Sequence, residues 1–345
     1  MSKIKTPPDA TIKPHELTMH GDTRTDNYYW MRLTDDQKNA QNKDQQTLDV
    51  IDYIDRENKY TQSNLSHTKK LQDTIFDEMI SRIKKDDESV PYLKNGYYYY
   101  SRYEKDKEYR IHCRKKGSLD ADEEIILDEN ILAKGYDYFS IGGMSISPNS
   151  KWLAFGVDTV SRRVYEVHFK NLDTGDVLDA TIQNSTGGVA WANDNKTVFY
   201  TSKNETTLLG EKIWRHKIGT NNSDEMVYHE TDETFSNGVY RSKSGKFIII
   251  YHSSTLITDY QILNADNPNG RFSRFTPRDF DHEYSIDHYD NKFYIITNWK
   301  AKNNRLMQTP DNKTNISYWR EVIPQRETVH LLSLEVFKDN LVINE

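Results

Sequence analysis

The chain has one cysteine, Cys113, among 345 residues. An internal disulfide is therefore excluded, and the composition fits a reducing compartment, the cytoplasm. No apolar run approaches the roughly 18–20 residues of a membrane span; Phe247 to Tyr251 is among the longest, so no membrane partner is expected. Met1 to Ala10 holds two lysines, two prolines and no apolar core, so no secretory signal is visible. Without secretion, Asn-x-Ser/Thr triplets such as Asn184-Ser185-Thr186 read as products of an Asn-rich chain. Basic blocks are also missing. With 46 Lys+Arg against 53 Asp+Glu and a net charge of −7, the balance argues against nucleic acid.

Hydrophobic residues make up only 35% of the chain, and its mean hydropathy is −0.88. Disorder is nevertheless excluded by two counts. Leu, Ile, Val and Phe together supply 75 of 345 residues, just above the range where cores fail. Aromatics reach 12%, with 23 tyrosines, and half-buried β-strands accept Tyr readily. The composition describes a folded, polar-surfaced, β-rich protein.

The pattern changes near residue 90, which gives an expected arm over 1–89 and a second region over 90–345. In the arm, Leu48, Ile51 and Ile54 recur every third position, and Leu71, Ile75, Phe76, Met79, Ile80 and Ile83 cover one face of an amphipathic helix. The preceding stretch, Thr6 to Asp36, carries Pro/Gly breakers and the cluster Tyr28-Tyr29-Trp30. It reads as an irregular segment pinned by aromatics.

After Val90 the period is two. Turn chemistry recurs at Lys94-Asn95-Gly96, Pro148 to Lys151, Asn193 to Lys196, Ser244-Gly245-Lys246, Asp290-Asn291-Lys292 and Lys338-Asp339-Asn340. Asn, Asp and Gly tolerate positive φ at low cost, which favours hairpins. An aromatic or aliphatic strand follows each: Tyr97–Tyr100, Trp152–Phe155, Val198–Tyr200, Phe247–Tyr251, Phe293–Ile296 and Leu341–Ile343. The residues closing the turns are spaced by 55, 45, 50, 46 and 48, a period that marks propeller blades. Third strands follow in most units, at Tyr165–Phe169, Lys212–His216, Tyr260–Leu263 and Arg305–Met307. An antiparallel sandwich is the alternative, but it need not repeat one turn-then-aromatic unit six times. The fold class expected is all-β, a propeller of the seven-bladed type preceded by a helical arm. The sixth unit stops after two strands, so the expectation is a chain cut within a blade, with about five and a half blades present.

Catalytic signatures are scarce. Gly143-Met144-Ser145-Ile146-Ser147 lacks the second glycine of a nucleophile elbow. Neither His15-Glu16 nor His282-Glu283 continues to H-E-x-x-H. His282 and His288 fall on one expected strand and read as core or surface residues. Cys113 follows His112, but strand neighbours point to opposite faces, so a buried structural thiol is expected. Ser244-Gly245-Lys246 reads as a hairpin turn, not a phosphate loop. Trp152, Trp191, Trp214 and Trp299 fall at comparable blade positions and read as core. No catalytic residue, metal ligand or cofactor site is assigned.

Several long segments carry a resemblance. His20 to Arg32, Glu57-Asn58-Lys59-Tyr60, Ser161-Arg162-Arg163-Val164-Tyr165, Val189 to Asp194, Ile213-Trp214-Arg215-His216 and His282 to Tyr289 resemble, in order, the oligopeptidase B group of the prolyl oligopeptidase family of serine peptidases. The resemblance implies a seven-bladed propeller capping an α/β-hydrolase domain with a Ser-His-Asp triad, cutting short peptides after Lys or Arg. It implies that the propeller limits access to that site. No triad residue falls within these 345 residues, so this chain is expected to be inactive alone. The partners implied are short basic peptides, through the intact enzyme, and the absent hydrolase domain. Tyr28, Trp30 and Arg32, with the two helices, would dock on that domain, and Arg162-Arg163 would form an inter-domain contact. A non-enzymatic propeller binding module is the alternative.

Overall fold

The computed structural model describes residues 6–220, 223–278 and 282–345. The chain divides into two compact units, one ending at Lys84 and one running from Lys85 to Glu345.

The first unit opens with a β-hairpin of β1 (His15–Met19) and β2 (Asp22–Asp26). Its two turn residues, His20 and Gly21, have φ of 54° and 80°, as a two-residue hairpin turn requires. The expectation of an irregular segment is corrected here. The strands are mostly polar and exposed, and Leu17 and Met19 of β1 are too short an alternation to mark a strand. A short helix, α1 (Asp35–Asn39), starts with a capping box between Thr34 and Gln37. Next comes α2 (Gln45–Leu65), whose first turn is capped by Asp44 accepting from the Thr47 N–H at 2.7 Å. A 3-10 turn over Ser66–Thr68 leads into α3 (Lys69–Ser81). The helices lie where periodicity predicts, but burial does not follow the apolar stripe. Leu48, Ile51 and Ile54 are exposed, as are Leu71, Ile75, Phe76, Met79, Ile80 and Ile83, while Thr47 and Val50 are buried.

The second unit is built from antiparallel strands paired in sequential order. The first blade comprises β3 (Tyr92–Lys94), β4 (Tyr97–Arg102), β5 (Ile111–Lys116) and β6 (Glu123–Asp128). After the single-turn helix α4 (Glu129–Leu132) come β7 (Ser140–Ile146), β8 (Trp152–Asp158) and β9 (Tyr165–Asn171). The long strand β10 (Ile182–Trp191) serves two blades. Ile182 and Ser185 pair with β9, whereas Ser185 and then Val189 to Trp191 pair with β11 (Thr197–Lys203), and a bulge between Ser185 and Val189 redirects the strand. The third blade is completed by β12 (Gly210–Lys217) and β13 (Glu225–His229). The fourth holds β14 (Ser236–Arg241), β15 (Phe247–Ser253), β16 (Thr258–Asn264) and β17 (Ser273–Arg274). The fifth holds β18 (Tyr284–Tyr289), β19 (Lys292–Thr297), β20 (Arg305–Pro310) and β21 (Arg320–Ile323). A two-stranded hairpin of β22 (Ser333–Val336) and β23 (Leu341–Asn344) follows.

Apolar layers between successive blades replace a single core. Leu127 of the first blade packs with Leu153 and Phe155 of the second. Val167 and Phe169 meet Trp191, Val198 and Tyr200, and Phe199 meets Ile248 and Leu263. Phe247, Ile249 and Phe275 meet Ile286, Phe293, Ile295 and Trp319. Ile296 and Leu306 meet Leu331 of the last hairpin unit. These layers explain the composition, since thin blades bury alternating Ile, Phe and Tyr while keeping polar residues between them. A sandwich is excluded because the sheets stack in chain order, each on the next. Two details differ from expectation. His282 precedes β18 rather than lying on it, and the four tryptophans occupy different blade positions, although Trp191 is buried and Trp152, Trp214 and Trp299 pack against the layers.

Candidate functional site

Each of the six predicted turns joins a first strand to the second strand of its own unit, which brings all six to one rim. Neighbouring blades are latched there. The Asn95 side chain donates to Pro148 O (3.0 Å), the Asn149 N–H donates to Asn195 Oδ1 (2.8 Å), and the Asn193 N–H donates to Ala265 O (2.9 Å). The Lys243 N–H donates to Asp287 Oδ1 at 2.9 Å, and the Ser244 N–H donates to His288 O at 3.0 Å. At Asn95 and Asn195, which have positive φ, the same side chain that suits the turn also supplies a latch.

A serine, a histidine and a carboxylate converge on this rim. Ser244 Oγ lies 2.7 Å from His288 Nδ1, and His288 Nε2 lies 3.7 Å from Asp311 Oδ2. The chemistry is nevertheless that of a latch. His288 is buried between Phe247 and Phe293, and burial pushes its imidazole down to about 4, against the pull of Asp311. Asp311 is engaged by Lys246 Nζ, and Ser244 Oγ accepts from the Lys246 N–H at 3.1 Å. Such a weak base, 3.7 Å from its carboxylate, does not activate a hydroxyl. Elsewhere, Ser145 lies on β7, where its carbonyl accepts from Trp191 Nε1 at 3.1 Å. Cys113 is fully buried, and burial pushes its thiol up to about 12. His112 points away to Glu129, with Nε2 2.6 Å from Oε1. Among the described residues no group of three or more His, Cys, Asp or Glu is arranged to hold a metal, and no helix is long and apolar enough to cross a membrane.

On the opposite rim, Arg162 and Arg163 lie in the loop between β8 and β9. Asp158 shapes this loop, its carboxylate accepting from the N–H groups of Val160 (2.9 Å) and Arg163 (2.7 Å). Lys203 Nζ donates to Arg163 O at 2.6 Å. Neither guanidinium enters an ion pair among the described residues. A charged network that the sequence did not reveal lies on the same rim. Arg278 donates to Glu230 (2.8 Å) and Asp259 (3.1 Å), Arg274 pairs with Asp259, and Tyr228 OH donates to Glu230 at 2.8 Å. Burial opposes ionisation of Glu230, but Arg278 and Tyr228 hold its carboxyl down to about 2. The partners are separated by up to 48 residues, so spacing carried no sign of them.

In the first unit, Trp30 is the anchor. Its Nε1 donates to Thr11 O at 2.9 Å, its ring meets Tyr53 edge-on at 6.4 Å, and Gln46 donates to its carbonyl at 2.8 Å. Tyr28 is exposed, with its N–H donating to Asp26 Oδ1 at 2.8 Å. Arg32 lies over the Tyr29 ring at 6.0 Å and lines a cavity of about 620 Å³ with Thr34, Gln37 and Gln46.

The inner strands β3, β7, β10 and β14 enclose a channel of about 760 Å³. Five four-stranded blades around such a channel define a β-propeller. The N-terminal β-propeller domain of prolyl oligopeptidase matches residues 7–345, and the chain belongs to the prolyl oligopeptidase family. It is 36% identical to dipeptidyl aminopeptidase BI of Pseudoxanthomonas mexicana, over 99% of this chain and 48% of that protein. It is 30% identical to protease 2 of Moraxella lacunata, over 97% of this chain and 48% of that protein. Oligopeptidase B from Leishmania major superposes with a TM-score of 0.86 at 28% identity, covering 98% of this chain and 49% of that one. The Trypanosoma brucei enzyme, with covalently bound antipain in a closed form, gives 0.84 at 27% identity over 98% and 49%. The chain spans about half the length of the relatives it matches.

Proposed function

We propose that this chain is the propeller part of an oligopeptidase B-like serine endopeptidase that cleaves short peptides after Lys or Arg. Catalysis belongs to a hydrolase domain carrying Ser, His and Asp, and the propeller restricts access to it. The observation that carries the reading is the match in order across nearly the whole chain to oligopeptidase B, at a TM-score of 0.86 and about half that enzyme's length. The exposed apolar stripe of α2 and α3 supports docking of the arm on such a domain, in which Tyr28, Trp30 and Arg32 take part. The unpaired guanidinium groups of Arg162 and Arg163 support an inter-domain ion pair. A cytoplasmic setting is in keeping with the single buried thiol.

The test is hydrolysis by the intact protein. Arginyl and lysyl substrates are cut internally, a folded protein of the same composition is spared, and the 345-residue chain alone neither hydrolyses them nor takes a serine-directed probe at Ser244. Release of N-terminal dipeptides without regard to Lys or Arg would overturn the specificity and would match the name of the Pseudoxanthomonas relative, a dipeptidyl aminopeptidase. A soluble monomer that ends at Glu345 in the cell and hydrolyses nothing would favour the binding-module reading. Arg163→Glu changes the salt dependence of turnover; unaltered kinetics at every salt would remove the ion pair.

A further inference from the structure

The channel is electrostatically one-sided. Its lining includes Lys94, Arg241 and Lys243 and, among the described residues, no carboxylate. All three cations stand at the turn rim: Lys94 ends β3, Arg241 ends β14, and Lys243 lies in the turn that follows. Arg241 is held in place, Nη1 donating to Trp191 O at 2.7 Å and Nη2 to Asn193 Oδ1. Lys243 leans across to Glu335 of the last hairpin, and Lys94 makes no ion pair among the described residues. Desolvation in the channel pushes the Lys94 ammonium below its usual range, and the charges of Arg241 and Lys243 push the same way. Burial likewise lowers Arg241, with Asp266 alone opposing. Deeper in, the wall turns apolar at Met144, Val189 and Val239.

We propose that the turn-rim mouth of this channel binds an acidic peptide segment. Its carboxylates meet Lys94, Arg241 and Lys243, and its apolar side chains lie against Met144, Val189 and Val239. An inorganic anion would leave most of a cavity of about 760 Å³ unfilled, whereas an extended peptide supplies both the charge and the apolar surface that the wall calls for. A consequence is directional. Lys- and Arg-rich peptides are repelled at this mouth, whose lining lacks a carboxylate among the described residues, so the weak net negative charge of the chain does not draw them in here.

The inference rests on channel charge and not on the peptidase reading, and binding without turnover tests it. A fluorescent Glu-Leu repeat peptide is titrated into the intact protein and followed by anisotropy at low and high salt. Binding is expected, weakening as salt rises. Lys94→Glu combined with Lys243→Glu weakens it about tenfold or more, and Lys94→Met about threefold. A melting temperature unchanged in Lys94→Met keeps the result interpretable if the double reversal misfolds. Lys69→Glu on the arm leaves binding unchanged. Equal affinity for an uncharged Gln-Leu peptide, insensitivity to both channel variants, or tighter binding of inorganic polyphosphate than of the peptide overturns the proposal.

Discussion

The helical arm and the propeller put their large apolar side chains to opposite uses. In the propeller, one face of each strand is buried against the neighbouring blade, as with Ile249, Phe293 and Ile295. In the arm, Ile75, Phe76, Met79 and Ile80 lie exposed along α3, and the local fixings are helix caps and the Trp30 anchor. Periodicity shows where an amphipathic element runs. It does not show whether the surface that would cover its apolar face belongs to the same chain.

Four measurements would break or sharpen this contrast. The largest effect is expected from Phe293→Ala, whose buried ring bridges the fourth and fifth blades. Urea unfolding should show a loss of about 3–5 kcal/mol. Phe76→Ser on the exposed stripe should move the midpoint of the 345-residue chain by less than about 0.5 kcal/mol. A loss as large as that of Phe293→Ala would mean that the stripe is already covered. Arg278→Met comes next, since it takes the guanidinium away from buried Glu230 and leaves buried Asp259 to Arg274 alone. A cost of about 3 kcal/mol is expected, whereas Lys13→Met, breaking the exposed pair with Asp49, should be almost silent.

The third concerns pH. Burial, with Arg278 adding to it, pushes His252 from 6.5 down to about 3, and burial takes His288 to about 4. Because the folded values lie below the unfolded one, their contribution is complete above pH 6.5 and is lost as pH falls from 6.5 towards 4 and 3. Glu230 and Glu123, each held near 2, lose theirs between 4.5 and 2, the latter chiefly through Arg102. Propeller stability should therefore fall from about pH 6.5 downwards, and His252→Gln should flatten the upper part of that slope. An unchanged slope would remove His252 from the account. The smallest effects separate two glycines. A Cβ at Gly156 would lie 2.5 Å from Gly187 Cα where blades two and three cross, and Gly156→Ala should cost about 1–3 kcal/mol. Gly21→Ala, in open space at φ of 80° in the arm hairpin, should cost about 1 kcal/mol.

Much of this architecture was legible in advance. The turn at Ser244-Gly245-Lys246, the strands at Phe247 and Phe293, and the period near 48 residues all rest on local chemistry, because φ preference and strand alternation act over a few residues. The β1–β2 hairpin is not legible because its strands are mostly polar and exposed, with only Leu17 and Met19 alternating. The site features were less accessible. Glu230 reaches Arg278 over 48 residues and Ser244 reaches His288 over 44, and no spacing rule spans such distances.

By itself, then, the sequence determined most of the element types, the blade repeat and the polar character of the chain, since each follows from composition or short-range sterics. Only the tertiary structure decided that six turns share one rim, that Lys94, Arg241 and Lys243 meet in one channel without a carboxylate, and that the apolar stripe of the arm lies exposed. Those outcomes depend on which segments stack beside which, and stacking is set by burial summed over whole blades.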